Sequence, residues 1–277
     1  MSERRPLSER YPFLWQLSVN KGILVRNIQD LVSKETISRT RQEEPLPYVV
    51  ASYSVPMMKK GPGIDPVTQE NKAVNVHIAS SKLTGMIIHP GETFSFWKTV
   101  GSISRKKGYR EGRVIKDNRL IVDVGGGLCN LANVICNAVL RSPLTITEFH
   151  QHSDALACDL DHRIPMANGT SVAYNYVDYR FKNETDADFQ LVIICPDDTL
   201  TAELRSIHPF DQTYRITEDD HHFEKEGDTY YRISKIYKEV CDADGYLLNR
   251  ELIWNNHSKV MFDPSMIPED MIRTSEK

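Results

Sequence analysis

Three consecutive glycines stand directly before a cysteine and an apolar, helix-like pattern in the segment DVGGGLCNLANVICNAVL. Gly125, Gly126 and Gly127 add conformational freedom that costs entropy on folding, so the run needs a structural or chemical reason. Cys129 opens the helical pattern, where unpaired N–H groups and the helix dipole lower a thiol pKa and favour the nucleophilic thiolate. The three glycines would then supply backbone N–H donors for an oxyanion in acyl transfer.

Two other interpretations of this segment compete with the nucleophile. In the first, the glycines form a tight turn between a strand and a helix, and Cys129 is a small buried residue of the core. In the second, the glycines bind phosphate, but the segment lacks both the Lys-Ser/Thr of a P-loop and the GxGxxG spacing. The residues alone favour the nucleophile and the turn equally, ahead of phosphate.

A nucleophilic cysteine needs a base, and EFHQHSD supplies His150 and His152 shortly after the helix. On a strand both rings point to the same face, and we expect at least one within hydrogen-bond reach of the Cys129 sulfur or one water away. Alternatively, the HxH pair binds a metal together with Cys158 and His162. That spacing is not typical of zinc sites, so we expect neither a metal nor a cofactor.

The other cysteines have no obvious chemical role. Cys136 follows Cys129 by seven residues, nearly two helical turns, which is too far for a disulfide, so a core position is expected. Cys158, Cys195 and Cys241 have no recognisable polar partners in the sequence. We expect structural roles for all three.

Two helices are predicted around these residues. The first begins with Asp65 as N-cap and Pro66 as first helical residue, and ends near Gly85, with Val67, Val74 and Ile78 on one face. The second spans 129–141, and its apolar spacing indicates a buried helix. Its stripe consists of Leu131, Val134, Ile135, Ala138 and Val139.

Strands are predicted on both sides of the second helix. A short strand is expected in EEPLPYVVASYSV, and a Pro-Gly turn in HPGETFSFW precedes a strand that contains Phe94, Phe96 and Trp97. SVAYNYVDYRFKN and DFQLVIIC, joined by ETDA, predict a hairpin. DTYYRISKIYKEV and YLLNRELIW, joined by a DADG turn, predict a second hairpin.

Composition restricts the classes of protein. The 277 residues are 40% apolar, enough for a sizeable core, and the net charge of −4 gives no general case for nucleic-acid binding. The odd number of cysteines, the lack of a signal-peptide h-region and the absence of an 18-residue apolar run favour a cytoplasmic chain without a transmembrane span.

The first 42 residues are basic, with eight Lys or Arg against four Asp or Glu. Their apolar residues recur at roughly helical intervals, which predicts a basic amphipathic helix. Packing against the main domain is the commoner use of such a helix. Peripheral contact with the inner membrane face is the alternative.

Several motifs together resemble the VanW domain family over about 70–195. In order, they are PGETFSFWKTVG, GY at 108–109, GGGLCNLANVICNAVL, EFHQHS and VAYNYVDYRFKN. The resemblance implies a role in cell-wall metabolism and vancomycin resistance. It also implies L,D-transpeptidase-like acyl transfer on peptidoglycan stem peptides or their precursors, with Cys129 as nucleophile and His150 or His152 as base.

Asn130, Asn168 and Asp178 are further candidates for substrate binding. Three positions depart from the family pattern: Asn130 replaces Gln, Phe149 replaces Arg, and Gly169 replaces an acidic residue. If that acid orients the base, its neighbour Asn168 would take over part of that role.

These observations predict an α+β protein. We expect a basic helical segment at 1–44, a VanW-like domain at 45–205 with a buried helix after the glycine turn, and a β-rich extension at 206–277. The enzyme interpretation has two alternatives: a peptide-binding accessory protein without catalysis, and a cysteine hydrolase in which water accepts the acyl group.

Overall fold

The computed structural model describes residues 12–58, 64–116, 119–151, 155–156, 158, 163–166 and 170–273. The described chain has an α+β fold, as the sequence predicts. Its α-helices are α1 (Pro12–Val32), α2 (Pro66–Leu83), α3 (Phe96–Val100) and α4 (Leu128–Leu140). Its strands are β1 (Tyr48–Pro56), β2 (Met86–Ile88), β3 (Thr93–Ser95), β4 (Glu111–Lys116), β5 (Arg119–Val124), β6 (Thr145–Glu148), β7 (Arg180–Lys182), β8 (Phe189–Ile194), β9 (Thr199–Ser206), β10 (Thr213–Glu226), β11 (Thr229–Cys241), β12 (Leu247–Lys259) and β13 (Ile272–Arg273).

The strands form four sheets. Their orders are β1-β9-β8-β2, β12-β11-β10-β13, β3-β7-β6 and β4-β5. In the first sheet β1 pairs antiparallel with β9, from Tyr48 opposite Ser206 to Pro56 opposite Thr199. Strands β1 and β9 are therefore neighbours in one sheet although they lie far apart in the sequence.

Helix α4 lies at the centre of the core. It packs against β1, β9, β6 and α2. Its predicted apolar stripe is fully buried, with Leu131, Ile135 and Val139 at 0% exposure. The prediction of a buried helix over 129–141 is therefore confirmed within one residue at each end.

Helix α2 has the predicted ends. The Asp65 side chain accepts hydrogen bonds from the N–H groups of Val67 and Thr68, and Gly85 has a φ of +82°. The buried residues of α2 include Val76, Ala79 and Leu83, whereas Val67 is exposed. Ile78, one of the three residues expected on one face, also packs against the core.

The strand predicted through Phe94, Phe96 and Trp97 is divided. Phe94 lies in β3, whereas Phe96 and Trp97 begin α3. The hydroxyl of Ser95 caps this helix by accepting from the N–H of Lys98 at 3.1 Å. A side-chain cap therefore ends the strand two residues earlier than the aromatic pattern suggests.

The hairpin predicted between VAYNYVDYRFKN and DFQLVIIC is wrong. Strand β7 pairs with β3 on one side and β6 on the other, so it has no free edge for β8. Strand β8 pairs with β2 and β9 in a different sheet. Tertiary partners, rather than proximity in the chain, decide the pairing of the short strand β7.

The second predicted hairpin is confirmed. Strands β11 and β12 pair antiparallel, from Tyr231 opposite Lys259 to Cys241 opposite Leu247. This sheet is fastened to the core by Lys238, whose ammonium group donates to the Ser142 carbonyl at 2.8 Å. Burial lowers the pKa of Lys238 to about 8.

Helix α1 confirms that the N-terminal segment is helical over Pro12–Val32. Its inner face makes polar contacts with the core: Lys98 and Arg180 pair with Asp30 at 2.7 and 2.6 Å, and Arg26 pairs with Glu148. Its outer face is apolar and exposed, as at Leu24 and Ile28. No helix in the described ranges has both the length and the apolar content needed to cross a bilayer.

Candidate active site

Cys129 is the second residue of α4, directly after the glycine turn. Gly127 precedes the helix with a φ of +100°, a backbone conformation that favours glycine, and the N–H of Leu131 donates to its carbonyl at 3.1 Å. The placement of Cys129 at a helix start is therefore confirmed.

The glycine turn lies so close to neighbouring atoms that a side chain would not fit. A Cβ atom on Gly126 would lie 2.4 Å from the Gly112 carbonyl carbon, which is backbone of β4. The carbonyl of Gly126 accepts from the Asn75 amide at 2.9 Å. The N–H of Gly125 donates to the Arg110 carbonyl at 3.0 Å, so this N–H is already engaged. Oxyanion support therefore stays a prediction for the N–H groups of Gly126 and Gly127.

The thiol of Cys129 faces the segment that precedes β7. Its sulfur donates to the Val172 carbonyl at 3.6 Å. The residue is half-buried. Burial raises the pKa of the Cys129 thiol, although the Val172 carbonyl, the Ser171 side chain and the residue's own N–H act in the opposite direction. The expected lowering of the pKa is wrong, because desolvation outweighs the helix start.

Two asparagines continue the polar stripe that Cys129 begins on α4. The Asn133 side-chain oxygen accepts from the N–H of Thr170 at 2.7 Å, and the Asn137 amide donates to the Met166 carbonyl at 3.0 Å. Because Cys129, Asn133 and Asn137 are spaced four residues apart, they lie on one side of the helix. This stripe was not predicted from the sequence, although polar residues at i, i+4 and i+8 in an apolar helix are a signal for it.

His150 lies just beyond β6, on the other side of the same segment. Its carbonyl accepts from the Ser171 N–H at 2.7 Å, and Ser171 precedes the residue whose carbonyl binds the thiol. Its ring does not bond the sulfur directly: the Nε2 atom of His150 pairs with Glu148 at 2.7 Å. Cys129 and His150 therefore contact neighbouring residues, Val172 and Ser171, of one segment. His152 lies outside the described residues.

Glu148 is the strongest electrostatic feature beside His150. Burial alone would raise its pKa, but hydrogen bonds from His150, Arg26 and the N–H of Asp178 lower that pKa to about 2. Arg180 lies 3.6 Å from the same carboxylate. Glu148 is therefore ionised at neutral pH, and the sequence analysis did not single it out.

Asp178 is a fully buried anchor of the site. Its carboxylate accepts from the Ser95 hydroxyl at 2.5 Å, the Trp97 N–H at 3.0 Å and the Arg180 Nε at 2.9 Å. Its exposure is 0%. This placement corrects the expectation that Asp178 contacts substrate, because a buried carboxylate with these partners is not available to a ligand.

Asn130 stays a candidate for substrate binding. Its side-chain nitrogen is buried and has no hydrogen-bond partner among the described residues. A buried donor of this kind requires an acceptor, which a ligand can supply. Asn168 and Gly169 lie outside the described residues. Phe149, which replaces the Arg of the family pattern, packs edge-on against Trp254 of β12, with the ring centroids 6.3 Å apart.

The remaining cysteines are free thiols. Cys136 is buried, as expected, and burial raises its pKa to about 12. Cys195 differs from the expectation, because its sulfur lies 3.3 Å from the Nδ1 atom of His77 on α2. Burial also raises the pKa of Cys195. Cys158 contacts the Met266 carbonyl at 3.4 Å, and its expected metal partners His152 and His162 lie outside the described residues.

The fold and the site define an α+β protein built around a cysteine-initiated helix with a histidine-bearing segment beside it. The family model described as VanW like protein matches residues 71–205. The matched region is therefore similar to the VanW family.

Two relatives extend this comparison. The chain is 24% identical over 260 residues to the vancomycin B-type resistance protein VanW of Enterococcus faecalis strain ATCC 700802 / V583, covering 94% of each chain. It is 28% identical over 117 residues to the uncharacterized protein YoaR of Bacillus subtilis strain 168, covering 42% of this chain and 37% of YoaR. No solved structure matches the chain significantly.

Proposed function

We propose that the protein performs cysteine-dependent acyl transfer on peptidoglycan stem peptides or their precursors, and that it contributes in this way to glycopeptide resistance. The observation that carries the proposal is the meeting of Cys129 and His150 at one segment: the thiol bonds the Val172 carbonyl, and the N–H of the preceding Ser171 bonds the His150 carbonyl. The similarity to a protein named for vancomycin resistance supports the choice of substrate.

The resting thiol is neutral in this proposal. Since burial raises the pKa of Cys129, the nucleophile is not a preformed thiolate. The thiol proton passes to a histidine base as the sulfur attacks, so deprotonation and attack are coupled. A histidine that accepts this proton is essential to the mechanism, and His150 and His152 are the candidates.

Two steps complete the reaction. In the first, the sulfur of Cys129 forms a bond with the carbonyl carbon of the third stem residue, and the C–N bond to the terminal D-amino acid breaks. The histidine gives its proton to the departing amine. In the second, an acceptor amine attacks the thioester and loses its proton to the histidine. The C–S bond breaks, and the thiolate regains a proton.

Stabilisation of the tetrahedral intermediate is assigned to donors around the helix start. The N–H groups of Gly126 and Gly127 are candidates, and the buried side-chain nitrogen of Asn130 is a third. Donors in a water-excluded site stabilise a developing oxyanion more strongly than they would in water. Asn130→Ala should therefore lower kcat.

An accessory peptide-binding function is the second candidate. The observation that favours it is the raised pKa of the Cys129 thiol, because a neutral thiol is a poor nucleophile without an effective base. In this alternative the fold binds a stem peptide without cleaving it.

The experiment is an assay of donor tetrapeptide with and without an acceptor amine, read by mass spectrometry. Wild type should release the terminal D-amino acid and form the cross-linked product. Cys129→Ser should abolish release, whereas Cys195→Ser, which removes the thiol beside His77, should retain it. Release without cross-linking would support a hydrolase. Peptide binding without release would support the accessory function, and release by Cys129→Ser would refute the nucleophile.

A further inference from the structure

The His150 ring has one nitrogen whose hydrogen-bonding role is defined by its partner. Its Nε2 atom lies 2.7 Å from the Oε1 atom of Glu148. An ionised carboxylate only accepts hydrogen bonds, so Nε2 must carry the hydrogen. In the neutral ring, Nδ1 then carries the lone pair that can accept a proton. The ring is 40% exposed, which leaves room for a reacting group to approach.

The carboxylate of Glu148 is itself held from several directions. Arg26 on α1 donates to its Oε2 atom, and Arg180 lies 3.6 Å from that atom. The N–H of Asp178 donates to Oε1 at 3.1 Å. Only 17% of the Glu148 side chain is exposed. These contacts fix the orientation of the Glu148 carboxylate and leave little of it accessible to other hydrogen-bond donors.

Ion pairs further from Glu148 and His150 hold Arg180 and α1 in place. Arg180 also bonds Asp178 at 2.9 Å, Asp30 at 2.6 Å and Glu35 at 3.2 Å. Lys98 on α3 bonds Asp30 at 2.7 Å. Asp30 lies on α1 and Glu35 follows it, so the N-terminal helix belongs to the same ion-pair network as Glu148.

We propose that Glu148 is the positioning residue for His150, holding its ring as the Nε2–H tautomer with Nδ1 as the base, and that Arg26 of α1 locks Glu148 in this orientation. The inference rests on the proposed acyl transfer for its catalytic meaning. It gives this chain an orienting acid, although Gly169 stands where the family usually has one. It also gives α1 a direct role at the site.

The test reads the tautomer directly, without turnover. Long-range ¹H–¹⁵N NMR spectra of the full chain distinguish Nε2–H from Nδ1–H rings, and His150→Asn assigns the signals. Wild type should show His150 as the Nε2–H form. Glu148→Ala should remove this preference, and Glu184→Ala, which removes an exposed carboxylate near the same sheet, should keep it.

Two results would overturn the inference. One is an Nδ1–H ring in wild type, which decides the matter even if Glu148→Ala fails to fold. The other is an unchanged Nε2–H ring in folded Glu148→Ala. Because neither depends on turnover, an inactive wild type would refute the acyl transfer and leave the tautomer result standing.

A kinetic experiment connects the His150 tautomer with the proposed acyl transfer. In an active protein, Glu148→Ala should lower kcat by about tenfold or more, with KM nearly unchanged, because the base loses its orientation but substrate contacts remain. Arg26→Ala should act in the same direction with a smaller loss. An unchanged kcat in both variants would contradict the positioning role.

Discussion

At the residue scale, the position of Cys129 and its chemistry give opposite indications. The helix start would favour a thiolate, yet burial raises the pKa of the thiol. The position of Cys129 at the helix start therefore does not determine whether its thiol is ionised. The sequence reveals where a helix begins, but the contact of the sulfur with the segment before β7 depends on residues more than forty positions later.

Alkylation rates should show this chemistry. At pH 7 we expect Cys129 to react more slowly than a free thiol, because its neutral form is favoured, but faster than Cys136, whose pKa is raised to about 12. Both rates should rise with pH. Iodoacetamide labelling read by peptide mass spectrometry gives the rates, with Cys195→Ser to separate its signal. Rapid labelling of Cys129 at pH 6 would contradict the raised pKa.

Glu148 should make stability depend on pH in acid. Its folded-state pKa, about 2, lies below the ordinary value of 4.5. The ionised carboxylate therefore stabilises the fold above about pH 4.5, and this contribution is lost as the pH falls toward 2. Glu148→Gln should lower the free energy of unfolding at pH 7 by up to about 3 kcal/mol, and less at pH 3.

Urea denaturation at both pH values measures this difference. Glu184→Gln is the control, because Glu184 is exposed and pairs with Lys182 on the surface. It should change the free energy of unfolding little at either pH. Equal losses for Glu148→Gln at pH 7 and pH 3 would show that the carboxylate charge contributes nothing.

At the element scale, the glycine turn before α4 allows the chain to pass close to the backbone of β4. A methyl group on Gly126 would meet backbone atoms of Gly112 at 2.4 and 2.5 Å. Backbone cannot move aside as a flexible side chain can. The glycine run is thus required by close approach, whatever its contribution to an oxyanion.

Gly126→Ala should be strongly destabilising. We expect a loss of about 3 kcal/mol or more in the free energy of unfolding, because overpacking against backbone displaces the turn. Gly91→Ala is the control: Gly91 has a φ of +81° in a turn but open space around its Cα, so about 1 kcal/mol is expected. Denaturant unfolding compares the two, and equal losses would refute the steric explanation.

Elements with a strong local signal were predictable. The apolar period of α4 and the Asp65-Pro66 start of α2 both appear in the structure as expected. The hairpin of β7 with β8 was not predictable, because a three-residue strand takes its partners from distant parts of the chain. The same reason applies to the site: Cys129 and His150 carry motifs, whereas Glu148 gains its importance from Arg26 and Asp178, which are far away in sequence.

At the scale of the whole molecule, α1 joins the site on one face and exposes apolar side chains on the other. The exposed residues are Phe13, Leu17, Leu24, Val25, Ile28, Leu31 and Val32. The inner face contacts the domain through charges, and we propose that the outer face contacts an anionic membrane surface.

Vesicle binding tests this proposal. The full chain should co-sediment with phosphatidylglycerol-containing vesicles and less with neutral ones, and high salt should release it, because charge contributes to the binding. Leu24→Gln with Ile28→Gln should weaken binding. Leu248→Gln with Leu252→Gln, on the exposed leucines of β12, should not. Equal binding by all variants would contradict the role of α1.

The central claim is that Cys129 carries an acyl group during turnover. The direct measurement is intact-mass analysis of the protein quenched in acid after incubation with the donor tetrapeptide alone, followed by peptide mapping. We predict a mass increase equal to the donor acyl group, located on Cys129 and absent from Cys129→Ser. An adduct on Cys195 instead, or cross-linking by wild type with no adduct on any thiol, would contradict the claim.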